Sequence, residues 1–348
     1  MAYTTIDDPS AYFQTVLYTG NATNSTAITN TGNSDLQPDW LWIKNRSSSG
    51  GVGPHFIVDS SRGANKDFHM NNDEAEHTTT NAVKSFNSDG FTIDDGGTVN
   101  NNTDNYVAWQ WKANGGTTAS NTDGNLTTTV QVNQTAGFSI ILWTSTGTSD
   151  TIGHGLGATP QIIIEKSREN SGDWMTFNSM GGNRLLFLNT TAGETTSFSG
   201  VSSVGASVFT DGNGGTDTRV AWCFTPIQGY SKFGTYTGNG NADGPFIYLG
   251  FKPKYFLLKN ATVSSGTSGQ HWQIADTVRH PLNPVDANVM AEDSAAEGHT
   301  WSIKDFLSNG VKIRGNNYAM NTSGDTYIYM AFAEHPFVSS KGVPCTAR

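Results

Sequence analysis

Two Asp–Arg pairs are the polar groups of this chain best placed to hold a ligand. Asp59 and Arg62 recur as Asp276 and Arg279, at an offset of 217 residues. A carboxylate three positions before a guanidinium can clamp an ionic ligand, or the two can pair with each other and anchor a loop. The second use is the expected one, because the middle of the chain carries the same scaffold without a clear copy of the pair. Glu74, Glu76, Glu292 and Glu297 supply carboxylates that could, across a cleft, hydrolyse a glycosidic bond. Nothing in the sequence builds that cleft, and an exposed loop face is expected for them. The eight histidines (His55, His69, His77, His154, His271, His280, His299 and His335) show neither His-x3-His nor His-Glu-x-x-His spacing, so no zinc site is read from them. His55 and His271 fall at similar strand positions and are expected to pack. Gly153-His154-Gly155-Leu156-Gly157 has no following Gly-Lys-Ser/Thr and reads as a turn. Asp94-Asp95-Gly96-Gly97 and Asp211-Gly212-Asn213-Gly214-Gly215 lack the spaced ligands of a calcium loop. There is no Gly-x-Ser-x-Gly elbow. The sequence thus assigns no catalytic, cofactor or metal-binding residue, and a non-enzyme is expected.

The elements that position these residues are repeated. Pro38-Asp39-Trp40-Leu41-Trp42-Ile43-Lys44-Asn45 returns as Pro160-Gln161-Ile162-Ile163-Ile164-Glu165-Lys166-Ser167 at an offset of 122. It returns again as Pro253-Lys254-Tyr255-Phe256-Leu257-Leu258-Lys259-Asn260 at 215. Tyr18-Thr19-Gly20-Asn21 matches Tyr236-Thr237-Gly238-Asn239, and Phe86 and Gly90 match Phe306 and Gly310. Each copy closes on an aromatic strand, aligned here through Trp109, Trp222 and Phe332. Trp42, Lys44, Asp59, Arg62, Trp109, Lys166, Trp222, Lys259, Asp276, Arg279 and Phe332 are therefore the structural anchors of the repeat. A period near 100 residues is too long for a solenoid and suits tandem domains.

Charged residues make up 14% of the chain, against an ordinary ~25%. The 18 Phe, 11 Tyr and 9 Trp are enough to build cores. A net charge of −10 opposes binding to nucleic acid, which needs basic patches. No 18-residue apolar run exists to span a membrane, and the first residues lack the basic and apolar segments of a secretion signal. Cys223 and Cys345 are expected to be reduced thiols, leaving stability to packing.

The alternation of Trp40, Trp42 and Lys44 with Leu41 and Ile43 puts large groups on both faces of one strand. Asn87-Ser88-Asp89-Gly90 reads as a hairpin turn. Six or seven short strands per copy predict an all-β chain of three tandem β-sandwich modules, jelly-roll or lectin-like. The boundaries read as residues 1–113, a Gly/Thr/Asn-rich linker over 114–135, a degenerate second module over 136–228, and a third with its tail over 229–348. One helix is expected at Pro284 to Ala296. Trp143, Trp174, Trp272 and Trp301 are less constrained by the repeat and are the candidates for a sugar-stacking platform.

Met1-Ala2-Tyr3-Thr4-Thr5-Ile6-Asp7, Leu17-Tyr18-Thr19-Gly20-Asn21, Pro38 to Arg46, Asp59-Ser60-Ser61-Arg62-Gly63, Ser85 to Phe91 and Tyr106 to Ala113 together resemble a family of marine bacteriophage virion proteins. Its members are labelled tail-fibre or structural proteins, sometimes lectin-like. The resemblance is strong over 1–113, good over 230–337 and faint between. It implies a virion component assembled in the host cytoplasm, with other virion proteins and a host surface glycan as partners. It carries no catalytic residues or cofactors. A tail fibre or appendage is expected, as a homotrimer. Capsid decoration is the alternative, because the first module starts near residue 10 with no shaft before it. A lectin or depolymerase module is the further one.

Overall fold

The structure, a computed structural model, describes residues 3–47, 53–180, 184–195, 200–212, 214–262, 270–298 and 301–345. It is nearly all antiparallel β, built as three sandwich-like modules. Each pairs one large sheet with a three-stranded sheet. In the first, the large sheet runs Phe13–Thr19, Asn105–Trp111, Trp40–Asn45, His55–Asp59, Lys66–His69, His77–Thr78. Thr26–Ile28, Gly90–Ile93 and Val83–Asn87 form its small partner. The second module places Thr218–Phe224 between Phe138–Thr144 and Ile162–Ser167. The third places Thr326–Pro336 between Ser231–Thr237 and Phe251–Asn260. The order is the same in all three: the closing aromatic strand sits between the opening strand and the Pro-apolar-Lys strand.

The two-residue strand period then divides the apolar groups between two destinations. Leu41, Ile43, Tyr106 and Ala108 face the small sheet and fill the first module's own interior. Ile163, Ala221 and Cys223 do so in the second, and Phe256, Leu258, Tyr327 and Tyr329 in the third. The opposite faces meet one another. Trp40, Trp42, Trp109 and Trp111 join Ile162, Ile164, Trp222 and Phe224, and Tyr255, Leu257, Met330 and Phe332, in a single buried cluster. Separate modules imply separate interiors for the aromatic anchors. Trp42, Trp109, Trp222 and Phe332 instead fill one centre that all three modules share. Trp40 contacts Trp111 in its own module and Trp222 and Phe224 in the next, with centroids 4.5–5.7 Å apart. Phe332 stacks on Phe13 at 5.2 Å and meets Phe224 at 6.1 Å, so one ring touches all three modules.

Several expectations need correction. The 114–135 linker contains two strands, Ala119–Asn121 and Thr128–Asn133, which extend the second large sheet. Its first residues are held, not loose. The main-chain N–H groups of Ala113, Gly115 and Gly116 donate to the buried Asp39 carboxylate at 2.7–2.9 Å. The first residues of the chain reach outside the first module: Tyr3 Oη donates to the Gly250 carbonyl of the third module and Thr4 Oγ1 to that of Gln228 at the end of the second. No helix occupies Pro284 to Ala296 among the described residues; that stretch carries the Val289–Met290 strand and turns. The only α-helices among the described residues are single turns, Gly97–Asn100 and Tyr318–Asn321, at matching places in modules one and three, and Pro9–Ala11 forms a short 3-10 turn. The third aromatic strand was aligned two residues out. Trp40 pairs with Trp111 and Tyr255 with Phe332, so Phe332 corresponds to Trp111, and Met330 to Trp109. A two-residue slip keeps every side chain on its face, which is why the burial of Phe332 is unaffected.

Among the described residues, no helix is long and apolar enough to cross a membrane.

Candidate functional site

The polar groups that recur between copies of the repeat converge on the three seams where neighbouring sheets meet. Each Lys follows an inward-facing apolar pair on its strand and is fully buried. Lys44 Nζ donates to the carbonyl of Ser294, in the third module, at 2.7 Å, and to that of Gly53 in its own. Lys166 Nζ reaches Asp73 of the first module at 3.3 Å. Lys259 Nζ reaches Thr190 of the second at 3.4 Å, and also bonds the Gln270 carbonyl. Every module therefore sends its lysine to the one before it, and the first sends its own to the last. Burial pushes each of these ammonium groups down to about 8.

A ring N–H repeats the pattern. Trp174 Nε1 donates to the Asn72 carbonyl at 3.1 Å and Trp272 Nε1 to that of Phe187 at 2.9 Å. At the third seam the place is taken by His55, whose Nε2 lies 2.8 Å from the Met290 carbonyl. Trp42 Nε1 donates to His55 Nδ1 at 2.7 Å, which leaves the proton on Nε2 and sets the tautomer. Burial keeps this imidazole neutral, well below its ordinary pKa. His55 thus corresponds to Trp272, not to His271. His271 instead bonds Glu292 at the rim.

The Asp–Arg pairs sit on the same seams. Arg62 binds Asp59 at 2.6 Å and Glu76 at 3.0 Å, while Glu76 takes two further bonds from Arg168 of the second module at 2.8 and 2.9 Å. Arg279 binds Asp276 at 2.5 Å and Glu297 at 3.2 Å, and Glu297 is bound at 2.5 Å by Arg46 of the first module. Each guanidinium also lies over a neighbour's indole, Arg62 over Trp222 and Arg279 over Trp109. Burial would raise Glu76, but the Arg168 hydrogen bonds and the Arg62 and Arg168 charges outweigh it and hold the carboxyl below its usual range. Anchoring is therefore the role the geometry supports for the pairs. The glutamates are not an exposed face: the side chains of Glu76, Glu292 and Glu297 are only 5–11% exposed, and Glu74 alone is open.

The seam between modules two and three departs from this plan. Asn178 takes the place of Asp59, and Met330 that of Trp109. Neither polar atom of the buried Asn178 amide has a hydrogen-bond partner among the described residues. Ala261 stands where Arg46 and Arg168 stand. Its carbonyl still accepts from Glu194 N–H at 2.8 Å, as Arg168 and Arg46 accept from Glu76 and Glu297. A small apolar cavity lies at this seam, lined in part by Ile164, Asn178, Leu257, Trp272 and Met330.

The sugar-stacking reading fails for Trp143, Trp174 and Trp272, which are buried with their indole N–H groups bonded. Trp301 is half-buried beside His271. Cys223 is buried and Cys345 exposed, and both are free thiols. Asn213 and His299 lie outside the described residues.

The scatter of histidines along the chain does not hold in space. Lys66–His69 pairs with His77–Thr78, which sets Asp67 directly across from His77. Asp67 and His69, two residues apart on one strand, share a face. His69 and His77 line an open cleft of about 710 Å³ with Asn71, Glu74, Thr98 and Ser294, and Asp67 lies buried beside the two rings. Sequence reading missed this group because its spacing fits no helical zinc motif. An Asp-x-His on a strand next to a histidine on the following one was the available signal.

No curated protein and no solved structure matches the chain. Matched over residues 8–336, and so over all three modules together, the chain belongs to the family described as "Domain of unknown function (DUF7483)".

Proposed function

We propose that the chain is a non-catalytic structural component of a bacteriophage virion, a tail fibre or appendage that meets the host surface. The observation that carries this reading is the fate of the repeat anchors. Trp42, Lys44, Asp59, Arg62, Trp109, Lys166, Trp222, Lys259, Asp276, Arg279 and Phe332 are all turned inward, onto the shared centre or a seam. The residues an enzyme would keep in a cleft are here spent on holding one rigid body. The sequence resemblance supports the virion setting, and a host glycan fits the polar, weakly charged surface as a ligand. Capsid decoration is the second reading, favoured by compactness: the described residues form one body with no shaft. The fibre reading includes a homotrimer.

Negative-stain images of virions labelled with an antibody to this chain test the proposal. Label on the tail supports the fibre, label over the head alone supports decoration, and unlabelled particles overturn both. Incubation with host polysaccharide tests the absence of catalysis. Release of new reducing ends would overturn it.

A further inference from the structure

Beyond any virion role, we infer that Asp67, His69 and His77 form a binding site for a zinc-class divalent cation at the rim of the first module. The first observation is geometric. Asp67 Oδ2 lies 3.7 Å from His69 Nε2 and 3.6 Å from His77 Nδ1, and one ligand atom from each residue falls within 4.8 Å of the others. Tetrahedral zinc with bonds of ~2.0–2.1 Å needs ligand atoms about 3.3 Å apart, so a small inward movement of two rings completes three corners. The second is Asp67 itself. It is fully buried, and neither carboxylate oxygen has a hydrogen-bond partner among the described residues. A buried carboxylate without donors is costly, and a cation is the partner that this arrangement lacks.

The third observation is what stands behind the rings. Glu74 Oε2 lies 3.7 Å from His69 Nδ1 and 3.5 Å from His77 Nε2, the two nitrogens turned away from Asp67. A carboxylate facing the far nitrogens favours the tautomers that leave the near ones free to bind metal, and it reaches hydrogen-bond distance with the same small movement of the rings. Two imidazoles and one carboxylate suit zinc, whereas calcium and magnesium prefer all-oxygen sites. The strand pairing supplies the rigidity, since Asp67 and His69 share one strand and His77 lies opposite on the next. Three protein ligands leave one corner for water or an oxygen of a bound ligand to complete the shell.

The test uses the full chain stripped with chelator and titrated with cobalt chloride, then with zinc chloride in competition. Cobalt is expected to give the visible absorption of a four- or five-coordinate nitrogen–oxygen site, saturating at one equivalent and bleached by zinc. Glu74→Gln should weaken zinc about 10-fold, within the range for loss of a ligand-orienting carboxylate, and His77→Ala should weaken it more. His280→Ala should leave it unchanged. Asp67→Asn, close in shape, keeps the ligand test available if His77→Ala fails to fold. No saturable absorption in the unaltered chain would overturn the inference. So would binding that survives both His77→Ala and Asp67→Asn.

Discussion

Lys44 Nζ donates to the main-chain carbonyl of Ser294, 250 residues further along the chain, at 2.7 Å. The bond ties the first module to the third and closes a ring whose other joints are Lys166 to Asp73 and Lys259 to Thr190. Lys44→Met fills the same space but leaves the Gly53 and Ser294 carbonyls without their donor. Each buried orphan costs about 1–3 kcal/mol. Urea unfolding at neutral pH should show a loss of that order, and no change in midpoint would remove the lysine from the set of seam anchors.

A shared centre makes unfolding a single event. Trp40 and Phe332 each contact more than one module, so neither can leave the core without exposing its neighbours. Scanning calorimetry should give one transition in which calorimetric and van't Hoff enthalpies agree. Trp40→Ala should lower stability by about 3–5 kcal/mol while keeping that one transition. A fragment spanning residues 1–113 should lack the near-ultraviolet signal of packed tryptophan, because its inner face has nothing to cover it. Three resolved transitions would show independent modules.

Stability should depend on pH in three successive legs of alternating sign. Burial, with the Asp211 charge next in size, raises Glu165 to about 8. The folded chain holds that proton after the unfolded one has released it, so stability falls as pH rises from the ordinary glutamate value toward 8. Lys44, Lys166 and Lys259 are lowered to about 8, and here the unfolded chain binds more protons between 8 and the ordinary lysine value. Stability rises across that interval. Above 10 the buried Tyr18, Tyr230, Tyr236 and Tyr255, all raised by burial, resist ionisation and stability falls again. Melting temperatures across this range should pass a minimum near 8. Glu165→Gln should flatten the acid leg and Lys259→Met the alkaline one; unaltered slopes would refute the assignment.

The altered seam offers a gain. Glu194 N–H bonds the Ala261 carbonyl as Glu76 and Glu297 bond Arg168 and Arg46, but among the described residues its carboxylate pairs only with Arg184, at 3.9 Å. Ala261→Arg should restore the missing ion pair and stabilise by up to about 1 kcal/mol, the scale of a partly exposed pair. Denaturant midpoints of Ala261→Arg, with and without Glu194→Gln, measure it. A gain that persists without Glu194 would have another origin.

Much of the fold was legible because strands write their faces into the chain at a period of two. The three Pro-apolar-Lys runs, the closing aromatic strands and the hairpin at Asn87 to Gly90 all followed from local pattern, and so did the all-β class. The same period hid the two-residue misalignment of Phe332. What local pattern could not decide was where the second apolar face goes. Trp40 and Leu41 are equally apolar in sequence, yet one enters a centre shared by three modules and the other its own interior. That choice depends on contacts between residues more than a hundred positions apart, which no short-range rule encodes. The metal-binding cluster was hidden for the same reason: Asp67 and His77 become neighbours only when two strands pair, and Asp67 loses its water only when the sheet is covered.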